Sequence, residues 1–191
     1  SAGKVIAVIF VSNLSFNTMQ IPLYFSVPLA VIVLEFFGYW IHRISHMDGF
    51  LWRVHSIHHT PTKVHTWNNN KMHPINIILL KFTRLASLII FGFNSETIFL
   101  AGSFSLLQNF ISHANIDIQG RWYSYIIGTP EMHRLHHSVK KTEAGNFSAV
   151  IPYWDMVFGT FIFGKSTLKA GIHNSNKYPN SLKKELVYPF I

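Results

Sequence analysis

The chain has 191 residues, enough for one domain of ordinary size, with a formal net charge of +8. Charged residues make up only 13%, against roughly 25% in soluble domains, while aromatics reach 15% and mean hydropathy is positive. This excludes an ordinary solvated surface and points to a membrane protein; the absence of cysteine excludes disulfides, iron–sulfur clusters and thiolate metal sites.

In chain order, the first apolar stretch is VIAVIFV, residues 5–11. It is too short to span a bilayer and no signal-peptide n-region precedes it, so it reads as the end of a membrane helix whose start is missing. Residues 21–41 (IPLYFSVPLAVIVLEFFGYWI) are the clearest spanning candidate, matching the roughly 20 residues a bilayer requires, with a kink expected at Pro28. Their one charge is Glu35, which reads either as a functional intramembrane carboxylate or as a neutral, hydrogen-bonded one. A polar, histidine-rich block follows at 42–74, with turn signals at TPT and NNN.

Two apolar segments come next, 75–93 and 97–111, separated by FNSE with Asn94 or Ser95 as N-cap. Lys81 and Arg84 lie in the first, where each would cost about 2.5–3.5 kcal/mol at a bilayer centre. Two arrangements fit: a tight helical hairpin with those charges at an interface or facing protein, or a helix along the membrane surface. In the second polar block, 112–146, GTPEMHRLHH contains a helix start, with Thr129 as N-cap, Pro130 at N1 and Glu131 in the first turn. Residues 147–163 are aromatic but broken by Pro152 and Gly159, and read as a packing segment; the tail after Lys165 is polar and basic. Basic residues lie mostly between and after the apolar runs, as in the cytoplasmic loops of membrane proteins, and not in the compact footprint of a nucleic-acid binder. The whole reads as one all-α domain over 1–191, an integral membrane helical bundle.

Twelve histidines are present, mostly clustered. HRISH supplies His42 and His46, HSIHH supplies His55, His58 and His59, and HRLHH supplies His133, His136 and His137. On a helix, i and i+4 share a face, so each cluster aims a pair of imidazoles one way. Eight imidazoles exceed the four ligands of one tetrahedral zinc and point to two metals; imidazole suits zinc, copper, iron and nickel alike. His113 is a further expected ligand, and Asn109, one turn before it, a candidate to hold a metal-bound water. His73 reads as a ligand or as a partner to one. His65 and His173 are read as non-ligands. Asp155 reads either as an acceptor for a ligand N–H or as half of a buried structural pair with Trp154, and Lys140 and Lys141 as solvated charge or as a contact for headgroups or an electron donor. If the runs before the clusters end on the same side, all three clusters meet at one membrane face. An alternative is a histidine-rich membrane metal transporter or metal-binding protein, against which stands the lack of histidine within 21–40. A zinc-dependent membrane hydrolase is disfavoured by the lack of HExxH.

HxxxH and the two HxxHH motifs between apolar segments, with FFGYWIHRISH, LWRVHSIHH, SHANI, TPEMHRLHHS, GNFSAVIPYWD and WDMVFGTF, resemble the fatty-acid hydroxylase / sterol desaturase superfamily over about residues 34–163. TPEMHRLHHS and WDMVFGTF look most like the branch that holds alkylglycerol monooxygenase and its bacterial relatives. The resemblance implies two irons held at the cytosolic membrane face by the eight cluster histidines with His113. It also implies O2 as co-substrate, electrons from a partner protein, and hydroxylation or desaturation of a lipid drawn from the bilayer. Zinc could replace iron in a purified sample. The membrane would be the bacterial inner membrane, or the endoplasmic reticulum in a eukaryote. Three positions depart from the family pattern: Asn76 stands where many relatives have an acidic residue, His65 where relatives often have Asp or Asn, and Asn109 where some have histidine.

Overall fold

The structure is a computed structural model that describes residues 21–191 apart from 48, 119–121, 165–168 and 174. The short apolar stretch at 5–11 lies outside the described residues, as does the side chain of Lys141. The described chain is helical: α1 (Leu23–Ser45), α2 (Phe50–His59), α3 (Pro74–Ile90), α4 (Ser95–Ser112), α5 (Pro130–His136), α6 (Tyr153–Val157) and α7 (Leu182–Val187), with short 3-10 turns between them. No strand forms among these residues; one isolated bridge joins Ser138 and Ala170.

The helix starts follow local chemistry. The Asn94 side chain accepts from Thr97 N–H at 2.8 Å, and Thr129 accepts from Met132 N–H at 3.4 Å with Pro130 at N1. His73 starts α3 in the same way, its Nδ1 accepting from Ile75 N–H at 3.1 Å.

α1 is the central element, and among the described helices it alone is long and apolar enough to cross a membrane. Both α3 and α4 pack on it, yet they barely touch each other. Residues 75–111 thus form two helices joined by a short turn and splayed around α1, not the tight hairpin expected, in which the two would pack on each other. The core lies where the three helices meet, in Ala30, Val31, Leu34, Leu88, Phe93 and Ala101, closed by Val150. The two charges within α3 meet different fates. Arg84 turns inward to pair with the buried Glu35 and donates to Ser105 at 2.6 Å, while Lys81 is exposed. On the outer face, Ile78, Phe82, Leu85 and Ile89 form an exposed stripe at helical spacing.

Elsewhere the structure adds order to the polar tail. The 3-10 turn Tyr188–Phe190 folds back onto α2 and α7 packs on that turn; Trp52 Nε1–H donates to the Tyr178 hydroxyl at 2.9 Å and Arg53 donates to the Ile191 carbonyl. Lys71 ties the same tail through Glu185 at 3.0 Å.

Candidate metal centre

Four chain segments end or begin at one place. α1 delivers His42 on its last turn and His46 as its C-cap, and α2 delivers His55, His58 and His59. His113 is the C-cap of α4, while α5 carries His133 and His136 with His137 as its C-cap. Their ring nitrogens gather into two groups, His42, His46, His55, His59 and His136 in one, and His58, His113, His133 and His137 in the other. Within each group the ligand atoms lie within 4.8 Å of one another.

The division follows helix geometry. His55 and His59, at i and i+4, go to the first group, and the intervening His58 to the second. His133 and His137 go to the second, and His136 crosses to the first. Neighbouring residues on a helix are about 100° apart, so the middle histidine of each HxxHH cannot share the direction of the outer pair.

Contacts on the outer nitrogens fix the tautomers. The Nδ1–H of His42 donates to the Phe147 carbonyl at 2.7 Å and that of His136 to the Gly145 carbonyl at 2.7 Å. His113 donates to the Asn109 carbonyl at 2.9 Å, and His55 to Asn76 Oδ1 at 2.9 Å. Each of these rings then presents a bare Nε2 to the centre, the arrangement that metal-bound imidazoles use. His55 Nε2 lies 3.1 Å from the Nε2 atoms of His42, His46 and His59. With their protons committed outward, His42 and His55 face each other lone pair to lone pair, which is repulsive unless a cation lies between them. The Nε2 of His136 is buried with no hydrogen-bond partner. In the second group, His133 Nε2 lies 2.9 Å from His113 Nε2 and 3.0 Å from His137 Nε2. The donor set fits two metal ions.

Protonation does not relieve the crowding. Burial, reinforced by the neighbouring His42, pushes the His55 imidazole down to about 3. Burial takes His113 to about 4, against the raising effect of its bond to the Asn109 carbonyl. His58, His59, His133, His136 and His137 are likewise held well below the ordinary value, by burial first and by adjacent imidazoles second. All stay neutral near pH 7, as metal ligation requires.

The remaining sequence candidates are placed as follows. His73 lies in neither group: its Nδ1 caps α3 and its Nε2 lies 3.1 Å from the Leu186 carbonyl, so both nitrogens are occupied. Asn109 contributes its backbone carbonyl to His113, while the residue also lines the cavity below. Glu35 hydrogen-bonds to no histidine; it is tied to Arg84 and accepts from Ala149 N–H at 2.9 Å and Val150 N–H at 2.7 Å. Asp155 acts at one remove: it accepts from Phe147 N–H at 2.7 Å, Ser148 N–H at 2.8 Å and Thr160 Oγ1 at 2.6 Å, fixing the strand of backbone whose Phe147 carbonyl holds His42. Trp154 donates instead to the Ile32 carbonyl of α1 at 3.0 Å. Lys140 sits 3.8 Å from Glu143. His65 and His173 are exposed and outside both groups.

Three positioning features are absent from the sequence candidates. Asn76 holds His55 although it is neutral. Gly145 presents the carbonyl for His136 at a point where a Cβ would lie 2.3 Å from the Thr160 carbonyl oxygen. Asn146 takes a positive φ of 56° and locks the turn by bonds to Ile162 O at 2.9 Å and Ile162 N at 2.9 Å. The GN pair is a legible turn signal in GNFSAVIPYWD; its partners are not.

A cavity of about 370 Å³ opens from the histidines. His42, His55, His58, His113 and His133 form one end, and Leu34, Leu80, Leu85, Leu88, Ile98 and Leu106 most of the apolar remainder. It occupies the gap between α3 and α4.

Fold and site together define a helical protein with two facing histidine groups able to bind metal, opening on an apolar cavity. The chain belongs to the fatty acid hydroxylase family, whose model matches residues 27–160. It is 27% identical over 172 residues to an ornithine lipid hydroxylase of Rhizobium tropici, covering 90% of this chain and 52% of that protein. It is 28% identical to methylsterol monooxygenase 2-2 of Arabidopsis thaliana, covering 68% of this chain and 49% of the relative. To a very-long-chain aldehyde decarbonylase of Oryza sativa it is 29% identical, covering 66% and 48%. The chain spans about half the length of these curated relatives. No solved structure matches it significantly.

Proposed function

We propose that this protein is a membrane-embedded di-iron oxidoreductase that uses O2 to hydroxylate a C–H bond of a lipid. The observation that carries the reading is the pair of histidine groups with bare Nε2 atoms at the end of an apolar cavity. The relatives' names, a lipid hydroxylase and a sterol monooxygenase among them, supply the reaction class.

One iron would be held by His42, His46, His55, His59 and His136, the other by His58, His113, His133 and His137. Bound iron supplies the redox chemistry that activates O2. Imidazole suits zinc as well as iron, and ferrous iron stands low in the divalent-metal affinity order, so zinc could replace iron in the same groups of an overexpressed sample. The protein's own contribution is positional. Phe147, Gly145 and Asn109 carbonyls and the Asn76 amide hold the imidazoles in one tautomer and one orientation. The apolar walls exclude water and align the chain to be oxidised. In the balanced reaction, O2 with two electrons and two protons gives one oxygen atom to the lipid carbon and one to water. The electrons come from an external donor protein. Removal of two hydrogens, a desaturation, would use the same residues; hydroxylation is preferred on the relatives' reactions.

The exposed apolar stripes of α3 and α4 and the spanning length of α1 suit a bilayer around the cavity, so the lipid enters sideways between α3 and α4. Arg43, Arg53, Lys63, Lys71 and Arg134 lie in the segments that carry the histidines, and by the positive-inside rule this supports a cytosolic placement of that end. One domain, with its core over about 34–163, carries all of this.

The test is purification of the protein, reconstitution with ferrous iron, addition of O2 and a chemical reductant in place of the donor protein, and metal and lipid-product analysis. Two irons per chain and an oxidised lipid are expected, with both the first-group metal and the product lost in His136→Ala. Turnover in that variant at unchanged metal content would sink the proposal. Metal movement across liposomes without lipid oxidation would favour a transporter.

A further inference from the structure

The cavity is lined mostly by apolar residues; apart from the histidines, its polar lining is asparagine and serine together with one charged cluster. Its charged lining residues other than histidine are Glu35, Lys81 and Arg84, two cations and one carboxylate. Glu35 is 1% exposed and fully engaged, with one oxygen on Arg84 and the other on two backbone N–H groups. Arg84 is differently placed. Only its Nη2 is used, on Glu35 and Ser105, while Nε and Nη1 have no hydrogen-bond partner among the described residues. The side chain is 20% exposed and lines the cavity. Its stem rests on Gly38, where a Cβ would lie 3.2 Å from Cδ and Nε. The ion pair thus uses one of the three guanidinium nitrogens and leaves N–H donors of the fork for an acceptor in the cavity. Lys81, one turn along α3, adds positive charge, with no carboxylate among the described residues within ion-pair distance.

Building on the hydroxylase reading, we propose that Arg84, held by Glu35 and Ser105, anchors an oxygen-bearing acyl group of the lipid, a carboxylate or an ester carbonyl. Glu35 lies seven residues before His42 on α1, so the anchor is about 10 Å from the histidines along the helix axis. The ion pair is neutral overall, so an uncharged carbonyl is accepted; Lys81 adds a preference for carboxylate. Because the acyl oxygen is fixed at one level and the reactive centre at another, the site selects which carbon is presented.

The test uses the purified full chain in detergent with radiolabelled palmitate, methyl palmitate and hexadecane as probes. Wild type is expected to retain palmitate and its ester at least about tenfold better than the alkane, the worth of a hydrogen bond to a charged group. The paired variant Glu35→Gln/Arg84→Met removes both charges, leaves neither buried alone, and is expected to bind methyl palmitate no better than hexadecane, with only the weaker carboxylate preference of Lys81 remaining for palmitate. Arg84→Lys keeps the ion pair and the fold but lacks the planar fork, and is expected to lose the preference severalfold. No preference in wild type, or an undiminished one in Arg84→Lys, overturns the anchor. Gly102 lines the cavity and faces open space, with nothing within 4 Å of where a Cβ would stand. Gly102→Phe is expected to abolish retention of all three probes at unchanged metal content; full retention overturns the site's location. A clear preference without any lipid oxidation refutes the hydroxylase reading and leaves the binding site; oxidation without a preference refutes the anchor alone.

Discussion

Asn76 gives the sharpest test of how the metal centre is held. It is 1% exposed and its Oδ1 accepts the His55 Nδ1–H at 2.9 Å. Truncation to Ala leaves that N–H buried without an acceptor, at a cost of about 1–3 kcal/mol, and frees the ring to turn. Loss of such a partner typically weakens metal binding about 10–100-fold. Because His55 Nε2 lies at the middle of the first group, 3.1 Å from three other ligand nitrogens, most of that loss falls on one of the two metals. Chelator titration of the iron-loaded protein, followed by metal analysis, should show one metal released earlier in Asn76→Ala while the other keeps its wild-type affinity. Asn76→Asp retains an acceptor and strengthens the ligand, so its first-group metal should be held at least as tightly as in wild type. Identical release curves for wild type and Asn76→Ala would refute the argument that this amide orients a ligand.

Further outcomes follow from the same geometry. Gly145→Ala must displace the Thr160 carbonyl, 2.3 Å from the new Cβ. It should cost about 1–3 kcal/mol by overpacking, seen as a lower thermal midpoint together with reduced iron content. The metal-free protein should lose stability as pH falls. Burial depresses His55 to about 3 and His113 to about 4, so below the ordinary value near 6.5 the unfolded chain binds more protons than the folded one. Thermal melts of metal-free protein from pH 7 to pH 4 should therefore decline steadily, and a flat profile would contradict the buried, neutral assignment. With palmitate as substrate, mass spectrometry should find oxidation confined to a narrow set of carbons in wild type and spread along the chain in Glu35→Gln/Arg84→Met.

What could be read from the sequence was what local periodicity encodes. Residues at i and i+4 share a helix face, and this brought out the outer pair of each HxxHH; the Thr129–Pro130 start located α5 before any tertiary contact was known. The apolar run around Glu35 marked α1. Long-range hydrogen bonds were beyond reach. The acceptors for His42 and His136 are backbone carbonyls, which every residue possesses, and only the fold selects Phe147 and Gly145. The same holds for His73. From the sequence His73 reads as a ligand or as a partner to one; in the structure its ring nitrogen caps the helix begun by Pro74, and the returning tail supplies an acceptor for the other nitrogen. Arg84 looked costly in an apolar helix because its partner, Glu35, lies 49 residues away.

The crossing of His58 and His136 has a consequence for assembly. Each helix that carries an HxxHH keeps two imidazoles on its own side and lends the third to the other. Neither group is complete while α2 or α5 is out of place. Loading of the two metals and docking of the two helices are thus linked as a logical conjunction. A half-built centre, with one histidine group closed and the other still open, is the state this arrangement disfavours.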